Sequence, residues 1–274
     1  MHMEHVALIF PPKREASVKA AKEAFEILSS CRIQVLSQFP GMLGTGAMLL
    51  HEDSRIDAIV SLGGDGTVLR CVQMAISSTA PVLGINLGQT GFLTETEGSC
   101  LEEALFRLVR SEYSIRTLPL LHVHAQEDWY ALNDCTLLRT AHQRLPRIQI
   151  SVDGHLADEF QADGVVIATP TGSTGYALSA GGPLIVPGTD CLVVTPVCPH
   201  KLSHRPMIIP GTSTVDVHMV EDPESMGMLQ VDGVTVCSYE ARGVFRVKRS
   251  DQSIRFISFG EQDFFEAVRN KLIR

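Results

Sequence analysis

The sequence lacks the features that mark several common protein classes. Its seven cysteines never form a Cys-x-x-Cys pair, so the spacing of zinc and redox motifs is missing. Basic residues are scattered through a chain of net charge -8, with no cluster that suggests nucleic-acid binding. Its apolar runs are much shorter than the roughly 18 to 20 residues that a membrane-crossing helix needs. We therefore expect a cytoplasmic protein with free thiols that binds neither nucleic acid nor a membrane.

Familiar nucleotide-binding and hydrolytic motifs are missing as well. No Gly-Lys-Ser/Thr occurs, which excludes a P-loop, and the Gly-x-Gly-x-x-Gly spacing of a dinucleotide fingerprint is not found. The chain also has no HExxH zinc motif, no EF-hand loop and no candidate Ser-His-Asp set. Any nucleotide chemistry must therefore rest on other glycine-rich segments.

The first part of the chain alternates strand-like and helix-like segments. Such alternation predicts an α/β domain with a doubly wound, mostly parallel sheet, whose ligands bind at the carboxyl ends of the strands. The predicted strands are residues 5–10, 32–37, 56–61 and 81–86, and the predicted helices are residues 15–29, 68–77 and 101–110. We expect this domain to cover residues 1–112.

From about residue 113 the pattern changes to short alternating segments bounded by glycine and proline, which predicts an all-β domain over residues 113–258. The predicted strands of this domain include residues 120–125, 147–152, 155–160, 165–168, 192–197, 214–220, 228–231, 234–238, 244–248 and 254–258. The pairs Asp153-Gly154 and Asp232-Gly233 each join two such segments and predict tight hairpins. Helical spacing returns at the C-terminus, which we expect to complete the first domain with residues 259–274. The predicted apolar face of that helix consists of Phe264, Phe265, Val268 and Leu272.

The most informative segment is residues 63–67, with the sequence GGDGT, between a predicted strand and a predicted helix. Its glycines leave backbone N–H groups uncovered at the positive end of the helix, an arrangement that attracts phosphate. Asp65 would repel phosphate, so its presence favours a catalytic base or a ligand for a hydroxyl group. The alternative is a tight turn in which the aspartate caps the helix.

Three further segments suggest a binding site. Residues 86–93 (NLGQTGFL) follow a strand and could bring backbone and Phe92 to a ligand, or form a plain loop with one core phenylalanine. The pair Asn133 and Asp134 could recognise a purine edge and ribose hydroxyls, although an Asx turn is the simpler interpretation. Residues 169–183 (TPTGSTGYALSAGGP) combine hydroxyls, glycines and a tyrosine, which suits a close-fitting site for a polar ring system.

Together these segments closely resemble the NAD kinase family in order and spacing, over roughly residues 5–270. The last segment is highly specific, whereas loops similar to GGDG also occur in diacylglycerol kinases, sphingosine kinases and phosphofructokinases. The resemblance implies a transferase of NADP biosynthesis. Such an enzyme moves the γ-phosphoryl group of ATP, with Mg²⁺, to the 2′-hydroxyl of the adenosine ribose of NAD.

The resemblance also implies roles for individual residues. Asp65 matches the family's catalytic aspartate, which we expect to act as general base, and Tyr176 lies in the segment that wraps the dinucleotide. The phosphate loop would consist of Gly63, Gly64, Gly66 and Thr67. The NAD-binding residues would be Asp65, Gly66, Arg70, Phe92, Asn133, Asp134, Arg144, Gln161, Asp163, Thr171, Thr174, Gly175, Tyr176, Ala177, Leu178 and Ser179.

The chain departs from the family pattern at three positions. Gln161 stands where many members have an arginine two residues before the aspartate matched by Asp163, so one charge that could pair with phosphate is absent. Gly175 replaces an alanine common before the tyrosine, and Val234 replaces a glutamine common after the second hairpin.

Two alternatives to an NAD kinase remain open from the sequence. A lipid kinase would share the loop and the two-domain plan, but the acidic net charge and the lack of a basic amphipathic segment count against it. A non-catalytic NAD-binding sensor is the second alternative, and the intact Asp65 argues against it. The resemblance and the β-rich second half favour a homo-oligomer, either a dimer or a tetramer.

Overall fold

The computed structural model describes residues 3–88, 91–140, 145–220, 226–240, 243–260 and 263–273. The chain divides into two compact units. The first consists of Met1–Leu118 together with Ser253–Arg274, and the second of Pro119–Gln252.

The first unit contains a parallel sheet flanked by helices. Its strands are β1 His5–Ile9, β2 Gln34–Ser37, β3 Met48–Leu49, β4 Ala58–Gly63, β5 Val82–Asn86 and β6 Thr96–Glu97. Its helices are α1 Glu15–Ser30, α2 Asp65–Leu69, α3 Val72–Ser78 and α4 Leu101–Val109. The main order is β3-β2-β1-β4-β5, with every pair parallel.

Strands β4 and β5 are buried along their whole length. Strands buried on both faces read as continuous apolar runs, which is why the sequence signal for them was clear. The helix predicted over residues 68–77 is instead divided into α2 and α3. The amide of Cys71 bonds to the carbonyl of Val68 at 2.9 Å, three residues back, so the chain tightens between the two helices.

The second unit consists mainly of antiparallel strands. They are β7 Ser114–His124, β8 Asp128–Ala131, β9 Asp134–Arg139, β10 Arg147–Val152, β11 His155–Gln161, β12 Gly164–Ala168, β13 Cys191–Val197, β14 Met207–Pro210, β15 Val215–Val220, β16 Met226–Val231, β17 Val234–Glu240 and β18 Val244–Ser258. Residues 114–118 of β7 and 253–258 of β18 belong to the first unit. One helix, α5 Tyr176–Ser179, follows a 3₁₀ turn at Thr171–Thr174.

Two layers of these strands share one apolar core. One layer has the order β11-β10-β15-β18 and the other β14-β13-β12-β9-β16-β17. Side chains from both layers, including Ile150, Val165, Val217 and Phe245, belong to a single buried cluster. Such a face-to-face arrangement buries one face of every strand.

Both predicted hairpins are confirmed. The pair Asp153-Gly154 joins β10 to β11, and the pair Asp232-Gly233 joins β16 to β17. In each turn both residues have positive φ, near 50° for the aspartate and 80° for the glycine. Asp-Gly tolerates this backbone, which explains why the sequence signal was reliable.

Three strands of the second unit were not predicted. They are β8, β9 and β14. In addition, the single strand β18 covers both of the separate strands predicted at residues 244–248 and 254–258. Strand β9 is central in its layer, between β12 and β16. It begins at Asp134, where the local pattern indicated an Asx turn. Pairing with strands far along the chain decides its conformation.

The C-terminal segment is helical, as predicted, but its buried face differs. Helix α6 covers Phe264–Val268 and is followed by a π-helical turn at Arg269–Ile273. Ala267 is buried, whereas the side chains of Phe265 and Leu272 are 57% and 40% exposed. Phe265 is thus on the exposed side already within α6, and the wider π turn after Val268 changes the residues per turn, so a spacing of 3.6 does not extend the face to Leu272.

The fold class is thus confirmed: an α/β N-terminal part with a parallel sheet, a β-rich part, and a C-terminal helix. Among the described residues, no helix is both long and apolar enough to cross a membrane.

Candidate active site

The glycine-rich loop and the loop after the next strand lie at one edge of the parallel sheet. Strands β4 and β5 pair in parallel with Gly63 opposite Asn86, so both chains leave the sheet at the same level. The amide of Leu87 donates a hydrogen bond to the carbonyl oxygen of Gly63 at 3.0 Å. The sheet therefore brings residues 63–67 and the described part of residues 86–93 together.

Asp65 is held in place by the second of these loops. Its Oδ1 accepts hydrogen bonds from the amides of Phe92 at 3.1 Å and Leu93 at 3.0 Å, and its Oδ2 lies 3.0 Å from the Phe92 amide. A Cβ atom on Gly91 would clash with Asp65 Oδ1, so only glycine lets this backbone approach the carboxylate. The carboxylate orientation is thus fixed by backbone.

Lys271 is a further partner of Asp65 that the sequence reasoning missed. Its Nζ lies 2.9 Å from Asp65 Oδ2 and 4.6 Å from the centre of the Phe92 ring. Phe92 also packs against Phe264 of the same C-terminal segment, with ring centres 6.1 Å apart. No local signal could have identified Lys271, because it lies 206 residues from Asp65 in the chain.

The remaining predicted residues of the first unit occupy different positions. Gly66 is exposed, and Thr67 is buried with its amide bonded to the carbonyl of Gly64 at 2.8 Å. No side chain caps the start of α2 at Gly64. Arg70 is exposed and lines a pocket whose walls include His51 but neither Asp65 nor Phe92. The structure therefore does not bring Arg70 to the carboxylate.

In the second unit, residues 132 and 133 bend into the start of β9 at Asp134, and this segment, the 132–134 turn, is fixed on both sides. The hydroxyl of Thr169 donates to the carbonyl of Leu132 at 2.7 Å, and the amide of Thr169 donates to the carbonyl of Asn133 at 2.9 Å. A Cβ atom on Gly172 would clash with the backbone of Asn133. The Asn133–Asp134 pair and the long glycine-rich segment, predicted separately, therefore meet.

The side chains of this turn hold unused hydrogen-bonding capacity. Asn133 Oδ1 is buried, and among the described residues it has no hydrogen-bond partner. Burial, together with the negative charge of Asp232, raises the pKa of Asp134 to about 6. The hydrogen bond that the Thr136 hydroxyl donates to Asp134 Oδ1, at 3.1 Å, acts in the opposite direction. A buried acceptor without a donor is costly, which favours a ligand that supplies one.

The long segment presents its side chains around this pair. Gly175 lies so close that a Cβ there would be 3.6 Å from Asn133 Nδ2 and 3.7 Å from Asp134 Oδ2. Ala177 is buried in a small apolar cluster, whereas Tyr176 is 39% exposed. Burial, with the nearby charges of Cys198, Asp163 and Asp134, raises the pKa of the Tyr176 phenol. Of the other predicted residues here, Thr171, Thr174 and Leu178 are partly buried and Ser179 is exposed.

Asp163 has an arginine partner that the sequence reasoning missed. Arg139 Nε lies 2.6 Å from Asp163 Oδ1, and the amide of Arg139 donates to the carbonyl of Asp163 at 2.8 Å. Gln161, two residues before Asp163, is exposed and lines a pocket with His200 and His204. Arg144 lies outside the described residues. The positive charge beside Asp163 therefore comes from the neighbouring strand β9.

Within the part of the chain that the structure describes, no group of three or more His, Cys, Asp or Glu side chains is arranged to hold a metal ion. Mg²⁺ usually keeps several waters and binds one or two carboxylates together with substrate phosphates. A metal held mainly by substrate phosphates does not require such a group, so the site is compatible with the Mg²⁺ that the resemblance implies.

Comparison with known families matches both units of the chain. A family described as the ATP-NAD kinase N-terminal domain matches residues 6–113, and one described as the ATP-NAD kinase C-terminal domain matches residues 132–259. The chain belongs to the NAD kinase family. The resemblance stated from the sequence motifs is confirmed.

Individual NAD kinases and their structures agree with this assignment. The NAD kinase of Chlorobium phaeovibrioides is 38% identical over 277 residues, covering 98% of this chain and 98% of the relative. The crystal structure of yeast NADH kinase complexed with NADH has a TM-score of 0.88 at 25% identity, covering 100% of this chain and 88% of that one. An NAD kinase from Archaeoglobus fulgidus in complex with ATP has a TM-score of 0.77 at 26% identity, covering 97% and 99%.

Proposed function

We propose that this member of the NAD kinase family transfers the γ-phosphoryl group of ATP to the 2′-hydroxyl of the adenosine ribose of NAD, giving NADP. The observation that carries the proposal is the Asp65 carboxylate. It stands on the glycine-rich loop at the carboxyl end of a parallel strand, with its orientation fixed by the amides of Phe92 and Leu93. Ligands of such sheets bind at that edge.

The chemistry of the second unit supports an adenosine acceptor. Within the described part of the chain Asn133 Oδ1 has no hydrogen-bond partner, and Asp134 accepts from the Thr136 hydroxyl through Oδ1. An adenine amino group and ribose hydroxyls supply donors of the kind that these oxygens require. The yeast relative binds NADH and the archaeal relative binds ATP, and both have the same fold as this chain.

Asp65 acts as the general base in the proposed reaction. The 2′-hydroxyl oxygen attacks the γ-phosphorus, the bond from phosphorus to the bridging oxygen of ADP breaks, and the hydroxyl proton passes to the carboxylate. A carboxylate is a weak base, but it suffices when the proton moves late, as in a loose phosphoryl-transfer transition state. Alignment and charge neutralisation then provide most of the rate.

Mg²⁺ is the metal that we propose for the reaction. It would neutralise charge on the nucleotide phosphates, while residues Gly63, Gly64, Gly66 and Thr67 form the phosphate loop. The start of α2 supports this role, because Gly64 begins the helix without a side chain and the N-terminus of a helix attracts phosphate. The remaining NAD-binding residues of the proposal are those named from the resemblance, with Arg70 the least supported because of its separate position.

The decisive experiment compares Asp65→Asn with the unaltered protein in NADP formation from NAD, ATP and Mg²⁺. The amide keeps the size and shape of the side chain but cannot take the proton, so we expect kcat to fall about 10²- to 10⁴-fold. NAD affinity, measured by calorimetry, should stay close to that of the unaltered protein. Near-normal turnover of Asp65→Asn would exclude Asp65 as the base.

Asp57→Asn is the matched control for this substitution. Asp57 lies in the same unit, and its Oδ2 also accepts two backbone amides, those of Glu4 and His5, each at 2.8 Å. We expect its kcat to remain within about twofold of the unaltered protein, since each lost structural hydrogen bond acts on stability and not on turnover.

The same assay separates the two alternatives. Phosphorylation of diacylglycerol with none of NAD would assign a lipid kinase, and NAD binding without any product would assign a sensor.

We further propose that the protein is a cytoplasmic homo-oligomer. Size-exclusion chromatography with light scattering tests the oligomeric state directly. A monomeric mass would contradict the oligomer.

A further inference from the structure

Asp232, one residue of the second hairpin, accepts hydrogen bonds from three consecutive backbone amides of the candidate NAD site. Its Oδ2 lies 2.8 Å from the amide of Leu132, and its Oδ1 lies 2.7 Å from that of Asn133 and 3.2 Å from that of Asp134. The amide of Asp232 in turn donates to the carbonyl of Asp134 at 3.0 Å. Asp232 therefore forms hydrogen bonds with all three residues of the turn.

Thr169 fixes the opposite side of the same turn through the carbonyls of Leu132 and Asn133. With its amides held by Asp232 and its carbonyls held by Thr169, the turn has its backbone polar groups satisfied. The side chains of Asn133 and Asp134 are thus not needed to satisfy the turn and are available to a ligand. Hydrogen bonds to a charged acceptor are stronger than neutral ones, which makes Asp232 the firmer of the two supports.

The ionised form of Asp232 is electrostatically unfavourable at this position. Its carboxylate stands beside the buried Asp134, and burial raises the pKa of both carboxyl groups. The three amide bonds lower the pKa of Asp232, in the opposite direction. Two neighbouring carboxylates repel each other, so this repulsion offsets part of what the three amide bonds contribute to the stability of the turn.

We propose that Asp232 is a positioning residue for the nucleotide acceptor: by holding three successive amides it sets the backbone that aims Asn133 and Asp134 at the adenosine part of the substrate. The inference rests on the proposed function, because it assigns the substrate side of that same site. Asp232 does not touch the reacting atoms, so its loss should weaken acceptor binding and leave the chemical step largely intact.

A role in hairpin formation alone is the competing explanation, and the chain contains its own control. Asp153-Gly154 forms a second hairpin with φ of 50° and 80°, against 48° and 78° for Asp232-Gly233. Among the described contacts, the Asp153 carboxylate accepts from one amide, that of Thr214 at 2.8 Å. The two turns match in backbone and differ in what the aspartate holds.

The test compares Asp232→Asn with Asp153→Asn in the full-length protein. Asparagine tolerates positive φ in such turns, so both hairpins should be retained. Its NH₂ group cannot accept a hydrogen bond, so in the first variant the single remaining oxygen cannot hold all three amides and at least one of them loses its acceptor. We expect the KM and the calorimetric Kd for NAD to rise about 10- to 100-fold, with kcat and the KM for ATP within about threefold.

For Asp153→Asn we expect all four constants within about twofold of the unaltered protein. Equal NAD constants in the two variants, or a loss confined to kcat in Asp232→Asn, would overturn the positioning role. Should Asp232→Asn fail to fold, Asp232→Glu against Asp153→Glu replaces the pair, because the longer side chain cannot meet three amides at once. The KM and Kd of Asp232→Glu for NAD are expected to rise in the same way, and unchanged values would again overturn the positioning role.

These outcomes are distinct from failure of the proposed function. If the unaltered protein formed no NADP, the kinase activity would be refuted. Calorimetry with NAD would then still decide whether Asp232 positions the binding site.

Discussion

At the scale of single residues, Asp134 is the carboxyl group whose ionisation the fold changes most clearly among the candidate site residues. It is 6% exposed, and burial raises its pKa to about 6 from an ordinary value of 3.8. The folded protein therefore binds this proton more tightly than the unfolded chain does. The associated stability is fully present below pH 3.8 and is lost as the pH rises through 6.

The Asp134→Asn variant should remove this pH dependence, because an amide does not ionise. A shift of about two units corresponds to roughly 3 kcal/mol, so the variant should be more stable than the unaltered protein by up to about that amount at pH 8. The difference should approach zero near pH 4. Urea unfolding at pH 4, 6 and 8 measures it, and a difference independent of pH would refute the assignment.

Asp57→Asn provides a control of opposite sign. Although burial raises its pKa, hydrogen bonds from the amides of Glu4 and His5, and the charges of Arg55 and His5, lower the pKa of Asp57 overall. Its stabilising contribution is present above the unfolded pKa and is lost as the pH falls. The variant should therefore be less stable than the unaltered protein at pH 8, and the difference in stability between the two should be smaller at pH 3.

At the scale of elements, the 3₁₀ turn Thr171–Thr174 and helix α5 Tyr176–Ser179 act as one rigid support. The Ser173 hydroxyl donates to the carbonyl of Pro170 at 2.6 Å and accepts from the amide of Ile185 at 3.0 Å. Ala177 anchors the helix in the apolar cluster beneath it. Short elements need such tertiary support, since neither would be stable as an isolated helix.

This support presents the Tyr176 ring outward, 39% exposed, where it could stack on a base. Tyr176→Ala should weaken NAD binding by roughly 1 to 3 kcal/mol, the usual effect of losing one stacked aromatic ring. Tyr176→Phe is the matched variant, and it should retain most of the affinity because the ring remains. Calorimetric titration with NAD measures both. Stacking is refuted if alanine and phenylalanine bind NAD equally well.

At the scale of the whole molecule, the first unit is built from two distant parts of the chain. Glu95 is buried, and its Oε1 accepts from the amide of Phe259 at 2.6 Å and the hydroxyl of Ser258 at 3.1 Å. Arg107 packs over the Phe259 ring at 4.1 Å. Strand β5 also pairs with the end of β18, through Val82 and Phe256. Without residues 253–274, a buried carboxylate would lose its donors.

We expect the two units to differ as fragments for this reason. Residues 119–252 are continuous and contain their own apolar core, so this fragment should unfold cooperatively in urea. Residues 1–118 alone should not, because of the uncompensated Glu95 and the lost strand pairing. Joining residues 253–274 to them by a flexible linker should restore cooperative unfolding. Cooperative unfolding of residues 1–118 alone would contradict this account.

The sequence by itself determined the features that depend on near neighbours. Apolar runs identified β4 and β5 because strands buried on both faces admit few polar residues. Asp-Gly pairs identified both hairpins because the turn requires positive φ. The spacing of the glycine-rich segments was sufficient to recognise the NAD kinase family, which the comparisons confirm.

Only the tertiary structure decided which groups surround Asp65 in the first unit and the 132–134 turn in the second. Strand β9 forms where the local pattern favoured a turn, because it pairs with β12 and β16. Lys271 lies 206 residues from Asp65, and Asp232 lies 100 residues from Leu132. Hydrogen bonds and ion pairs depend on distances of about 3 Å in space, and separation along the chain carries no information about them until the fold brings the partners together.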